Sequence, residues 1–174
     1  MHTIIIEPTA LFTKQHNEMW LTTNTNGNYI TSYTEENKNY VLSGVGVYYS
    51  FLFELSRDVN LELRPGVFIS NKVYSAFPVG VYLRYYFSEK YFISTGIITE
   101  LHSAGGHSFR PVQWPFSGSL SLGREILEKL YIILSYSKTF NEDYGSESTA
   151  FTNPTKSIRY SLNSSLKIGV QLTF

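Results

Sequence analysis

Apolar and polar residues alternate along most of this chain with a period of two, and the 3.6-residue period of a helix is almost absent. The last segment is the clearest. From position 158 the even residues read Ile158, Tyr160, Leu162, Ser164, Leu166, Ile168, Val170, Leu172 and Phe174, and the odd residues between them are polar, charged or glycine. Successive side chains of a strand point to opposite faces, so this is a strand with one oily side and one wet side. The same pattern recurs over 41–53, 59–69, 77–87, 91–101, 112–122 and 130–140. A less regular first strand covers 3–13, with Ile4, Ile6, Ala10 and Phe12 facing one way and Glu7, Thr9 and Thr13 the other. Most of these segments run to about 11 to 15 residues, beyond the usual globular strand and enough for a tilted strand to cross a bilayer.

The connections alternate in length. Short turns fall at 55–58, 88–90 and 124–129, the last with room for one helical turn. Longer polar loops fall at 14–39, 70–75, 103–109 and 141–157. Short turns at one end and long loops at the other are the asymmetry of a membrane barrel, and an even strand count puts both termini at the short-turn end. The pattern therefore predicts an all-β fold, an eight-stranded antiparallel up-and-down transmembrane barrel, with residues 1–174 as one domain.

A soluble lipocalin-like barrel carrying an apolar ligand would alternate in the same way with its oily face turned inward. The character of the polar face favours the membrane arrangement. That face is rich in Gly, Ser and Thr and carries few charges, as a narrow lumen requires. The charges predicted to lie there are Glu7, Glu54, Glu62, Arg64, Arg84, Glu100, Arg159 and Lys167, four of each sign, which permits pairing. Aromatics on the apolar face, among them Phe51, Phe53, Tyr85, Phe87, Tyr91 and Phe174, gather near the short-turn end as an interfacial girdle would.

Composition narrows the function classes. Charged residues are only 16% of the 174, aromatics also reach 16%, and Lys+Arg balances Asp+Glu at 14 each. A neutral chain lacks the basic surface that nucleic acid demands. With no Cys there are no disulfides, thiolate metal sites or Cys nucleophiles. No apolar run is long enough for a membrane helix, and no signal peptide is visible at the start. An exported protein with this sequence is expected to be a mature or trimmed form.

The tail Leu166-Lys167-Ile168-Gly169-Val170-Gln171-Leu172-Thr173-Phe174 resembles the C-terminal strand of bacterial outer-membrane β-barrels. The wider pattern, including Leu61-Glu62-Leu63-Arg64-Pro65-Gly66 and Val81-Tyr82-Leu83-Arg84-Tyr85-Tyr86-Phe87, is similar to small Bacteroidetes-type barrels of the PorT-like and OmpA-like kind. The resemblance covers nearly the whole chain as a pattern and contains no catalytic signature. It implies a bacterial outer-membrane location, lipid around the wall, and Phe174 as part of the signal read by the barrel-assembly machinery. The expected state is a monomer without cofactors.

The best enzymatic candidate is Glu100-Leu101-His102-Ser103-Ala104-Gly105-Gly106-His107-Ser108, which could supply a Ser-His-acid set to a lipid-modifying barrel enzyme. The match is poor. Adjacent His and Ser point to opposite faces of a strand, and Gly105-Gly106 reads as a turn. His2 and His16 are expected to be solvated, and no spacing suggests a metal site. Gly44-Val45-Gly46 lies inside a strand, where glycine permits close approach. The long loops carry Trp20, Tyr29, Tyr33, Tyr40, Tyr144 and Phe151, which suit contact with an extracellular partner. The expected role is structural, adhesive or loop-mediated binding around a closed lumen, without catalysis.

Overall fold

The computed structural model describes residues 1–25, 28–70, 75–103, 109–111, 114–141, 143–149 and 155–174. The strands are β1 (His2–Thr25), β2 (Asn28–Ser56), β3 (Val59–Ser70), β4 (Ser75–Ser88), β5 (Tyr91–Ser103), β6 (Phe109–Pro111), β7 (Phe116–Leu127), β8 (Leu130–Thr139), β9 (Asp143–Thr149) and β10 (Thr155–Thr173). Eight of them, β1 to β5, β7, β8 and β10, pair in chain order as antiparallel neighbours, and β10 pairs back onto β1 to close the ring. The short β9 and β6 extend the sheet at the loop end, β9 on β10 and β6 on β9.

One circuit of the ladder gives the stagger. His2 faces Phe51, which faces Leu63, and the row continues through Val81, Ile97, Gly118, Lys138 and Ser164 before returning to β1 at Phe12. A ring of eight strands with a stagger of this size tilts its strands by roughly 40°. The termini meet at the short-turn end, where the Phe174 N–H donates to the His2 carbonyl at 2.9 Å.

The faces are disposed as a membrane barrel requires. Leu166, Ile168, Val170 and Leu172 are 41, 58, 48 and 44% exposed on the outside, whereas Lys167 and Gln171 between them are 5 and 1% exposed in the lumen. This orientation excludes the lipocalin-like alternative, whose apolar side chains would point inward. On β1 and β2 the outward apolar run ends at Phe12 and Val41. Beyond them the outward positions are Lys14, His16 and Glu18, paired with Asn39, Asn37 and Glu35. Aromatic contacts mark the short-turn rim, with His2, Tyr49 and Phe51 clustered and Phe87 stacked on Tyr91 at 5.9 Å.

Lumen aromatics lie flat over glycines of neighbouring strands. A Cβ at Gly66 would meet the Tyr48 ring, and one at Gly96 would meet the Tyr82 ring and the Val81 carbonyl. These glycines make room for rings inside the narrow barrel.

Three expectations change. The 14–39 loop is strand for nearly its whole length: β1 and β2 continue as a ladder to Thr25 and Asn28, far past the membrane boundary. Its Thr and Tyr content and its cross-strand pairs sustain the hairpin without a core. Next, 124–129 holds no helical turn. β7 runs to Leu127, and only Glu128 and Lys129 turn the chain, with Lys129 at φ 65. Finally, the alternation of β10 slips at Asn163, where the ladder with β1 shifts between Phe12 and Thr13. Leu162, on the predicted oily face, is turned inward and packs with Leu11, Phe68 and Ala76.

Candidate functional site

Charge dominates the lumen. Glu62 lies at its centre, because inward parity on β2, β3 and β4 brings Ser50, Glu62, Arg64 and Arg84 to one wall. Ser50 Oγ and Arg64 Nε donate to Glu62 Oε1 at 2.6 and 2.9 Å, and Arg84 Nη2 donates to Oε2 at 2.7 Å. Arg84 Nη2 also reaches Gln171 Oε1 at 3.0 Å, and Arg64 Nη1 donates to Glu7 Oε1 at 3.5 Å. Lys167 donates to Tyr48 OH at 3.4 Å and stands 3.9 Å from Glu7 Oε2. The guanidiniums stack on rings, Arg64 over Tyr82 at 4.3 Å and Arg84 over Phe92 at 3.9 Å. Buried carboxylates survive only with such partners.

Apolar layers bound this network. Ile5, Tyr48, Phe92 and Ile133, with Tyr86 and Tyr131 against them, form one cluster; Leu11, Phe68, Ala76 and Leu162 form another. Eight strands leave an interior that side chains fill.

Of the eight charges expected in the lumen, Glu7, Glu62, Arg64, Arg84 and Lys167 meet in this network. Glu100 lies on the lumen side of β5, opposite Pro78 and nearer the loop end. Glu54 and Arg159 do not belong there. Glu54 sits on the rim, where the β2–β3 ladder shifts on its way into the turn, and is exposed. Arg159 lies past the slip at Asn163, so its parity is reversed and it faces out beside His16. Ser50, Tyr48, Tyr82 and Gln171 are members that charge alone does not reveal, although their inward parity is legible in the sequence.

Of the Ser-His-acid candidates, His107 and Ser108 lie outside the described residues, as do the side chains of His102 and Ser103. Among the described residues no group of three or more His, Asp or Glu is placed to hold a metal.

A second polar constellation stands on the hairpin outside the barrel. Glu18 and Glu35 face each other directly across β1 and β2, an unfavourable like-charge pair. His16 bridges them, with Nε2 3.3 Å from Glu18 Oε1 and Nδ1 2.8 Å from Asn37 Oδ1 and 3.7 Å from Glu35 Oε1. Tyr33 OH donates toward both carboxylates, and its ring lies 5.4 Å from that of Trp20. Both His16 nitrogens face acceptors, which suits the protonated ring. The hydrogen bonds to Asn37 and Glu18 and the charge of Glu35 raise its pKa above the ordinary 6.5.

No protein-family model matches the sequence, and no curated protein matches it. Among solved structures, the outer membrane protein OprG from Pseudomonas aeruginosa aligns with a TM-score of 0.54 at 13% identity, over 99% of this chain and 95% of that one. The fold is that of an outer-membrane β-barrel. The outer membrane protein AlkL aligns over 98% of this chain and 90% of its own at TM-score 0.43 and 13% identity. The KdgM porin aligns over 98% and 99% at TM-score 0.41 and 10% identity. No family model narrows the fold to the Bacteroidetes-type barrels that the sequence pattern resembles, and a shared barrel does not set an activity.

Two outcomes follow from the lumen and the hairpin. Replacing Glu62 by Leu leaves Arg84 and Arg64 short of a counter-charge in a buried site and is expected to cost about 3–5 kcal/mol in denaturant titrations of the folded barrel. Adding Arg84→Met should recover a large part of that loss; a double variant as unstable as the sum of the two singles would contradict the pairing. For His16, a raised folded pKa means that its stabilising contribution is complete below about 6.5 and fades as pH rises through the folded value. Its ring signals in NMR should therefore titrate with a midpoint above 6.5, and Glu18→Gln should move that midpoint down.

Proposed function

We propose that this protein is an integral barrel of a bacterial outer membrane, with a lumen closed to solutes and its work carried outside the membrane by the β1–β2 hairpin. The observation that carries this reading is the inversion of an ordinary globule. The outer wall is apolar from Ile4 to Phe12 and from Leu166 to Leu172, while ion pairs and hydroxyls are buried inside. Such a wall is stable in hydrocarbon and aggregates in water.

The hairpin supports a structural, adhesive or binding role. It presents Trp20, Tyr33, Tyr29 and Ile30, the last three at least half exposed, above the boundary set by Phe12 and Val41. Amphipathic aromatics of this kind are the usual anchors of a binding surface. The partners in this reading are outer-membrane lipid around the wall, the barrel-assembly machinery acting on Phe174, and an extracellular ligand at the hairpin; the barrel works as a monomer, without catalysis or cofactor. The PorT-like resemblance of the sequence agrees with this reading.

Membrane extraction and flux test it together. The protein should require detergent for extraction and migrate as a compact species until boiled. Vesicles containing it should retain entrapped small sugars as empty vesicles do. Solubility without detergent would sink the membrane assignment, and rapid sugar release would sink the closed lumen.

A further inference from the structure

One cross-strand row on the lumen side joins five strands. Arg84 faces Ser94, Ser94 faces Ser121, Ser121 faces Ser135, and Ser135 faces Lys167. These residues are 0, 1, 2, 2 and 5% exposed. A cation therefore closes each end of a run of three serines. None of the three hydroxyls has a hydrogen-bond partner in the protein, and the same holds for Arg84 Nε and for Nη2 of Arg64. Other lumen hydroxyls do pair: Ser117 lies 3.1 Å from Thr139, and Ser137 donates to Ser119 at 3.1 Å.

The kind of capacity left over identifies the ligand. Both Glu62 oxygens accept from a guanidinium or hydroxyl, Glu7 faces Arg64 and Lys167, and the Gln171 carbonyl accepts from Arg84. What remains in this layer is two unpaired guanidinium nitrogens, Arg84 Nε and Arg64 Nη2, and three hydroxyls free to donate. Arg64, Arg84 and Lys167 face Glu7 and Glu62, and Glu100 adds its charge to Lys167 from the loop side. A metal ion would find only neutral hydroxyl oxygens free, in a row whose two ends carry the cations Arg84 and Lys167 that repel it. A buried unpaired donor costs free energy that a partner removes, and low polarity strengthens its attraction to an anion.

We propose that the serine row of β5, β7 and β8, with Arg84 and Lys167 at its ends, is a binding site for one small inorganic anion of chloride size. Serine at three consecutive row positions keeps the side chains there short, and the Phe92 ring beneath Arg84 lies on the short-turn side of the row. The site extends the closed-lumen reading, since the side chains that block passage would also hold the ion.

The probe is chloride itself, exchanged for gluconate at constant ionic strength, with the folded barrel in detergent micelles. Resistance to denaturant should rise with chloride, because a ligand of the native state alone stabilises it. Bromide should act alike. Ser121→Ala should keep the compact migration of the native barrel but need roughly tenfold more chloride for the same protection, the scale of one hydrogen bond to a charged group. In gluconate alone the same variant should be as stable as the native barrel or more so, since an unpaired buried hydroxyl is gone. Ser94→Ala is the second variant should Ser121→Ala not fold. A native barrel indifferent to chloride would mean that the row holds water alone and would overturn the proposal; so would equal protection of native and variant chains. Failure of the closed-lumen reading would register separately, as sugar release from vesicles.

Discussion

The whole structure depends on the pairing of β1 with β10. In hydrocarbon each unpaired backbone amide or carbonyl costs several kcal/mol, so a sheet can enter a membrane only if it has no open edge there. The ladder from Thr3↔Thr173 through Phe12↔Ser164 removes that edge along the membrane height. Closure with this stagger then fixes the strand tilt, the width of the lumen and the row in which each side chain lies. Arg84 and Lys167 share a row through the ladders of β4, β5, β7, β8 and β10, and closure curls that row around one side of the lumen.

Closure also creates the lumen's difficulty. Eight strands enclose too little space for bulk water and too many inward positions to leave empty. The chain fills them with layers: a charged network between apolar clusters, with aromatic rings lying flat over glycines of adjacent strands. The charges are tolerable because Glu62 and Glu7 are shared among three cations, and because Tyr82 and Phe92 cover the guanidiniums. The side of the lumen formed by β5, β7 and β8 is built differently, from small hydroxyl residues, and there hydrogen-bonding capacity is left over.

Much of this is legible in the sequence, because strand parity in a two-faced barrel is nearly a direct readout of orientation. The ring of eight, the short-turn end and the inward places of Glu7, Glu62, Arg64, Arg84 and Lys167 all follow from alternation and turn length. Parity counting fails where the count itself slips. The irregularity at Asn163 carries no local composition signal, and it reverses Arg159 and Leu162 together. Glu54 shows a different limit, since parity does not say where the lumen ends and the rim begins. The hairpin beyond Phe12 reads as loop because its polar residues on both faces hide a strand that has water on both sides.

The even positions of β10 face lipid and the odd positions face the lumen as far as Asn163, and the parity reverses beyond it. The chain has no native cysteine, so single cysteines placed from 158 to 174 can each carry a spin label in a bilayer. Collision rates with dissolved oxygen should alternate with period two, high at Leu166, Ile168, Val170 and Leu172, low at Ser165, Lys167, Gly169 and Gln171, and the phase should reverse on passing Asn163. Oxygen contact highest at the odd positions from 165 to 171, or no alternation at all, would contradict it.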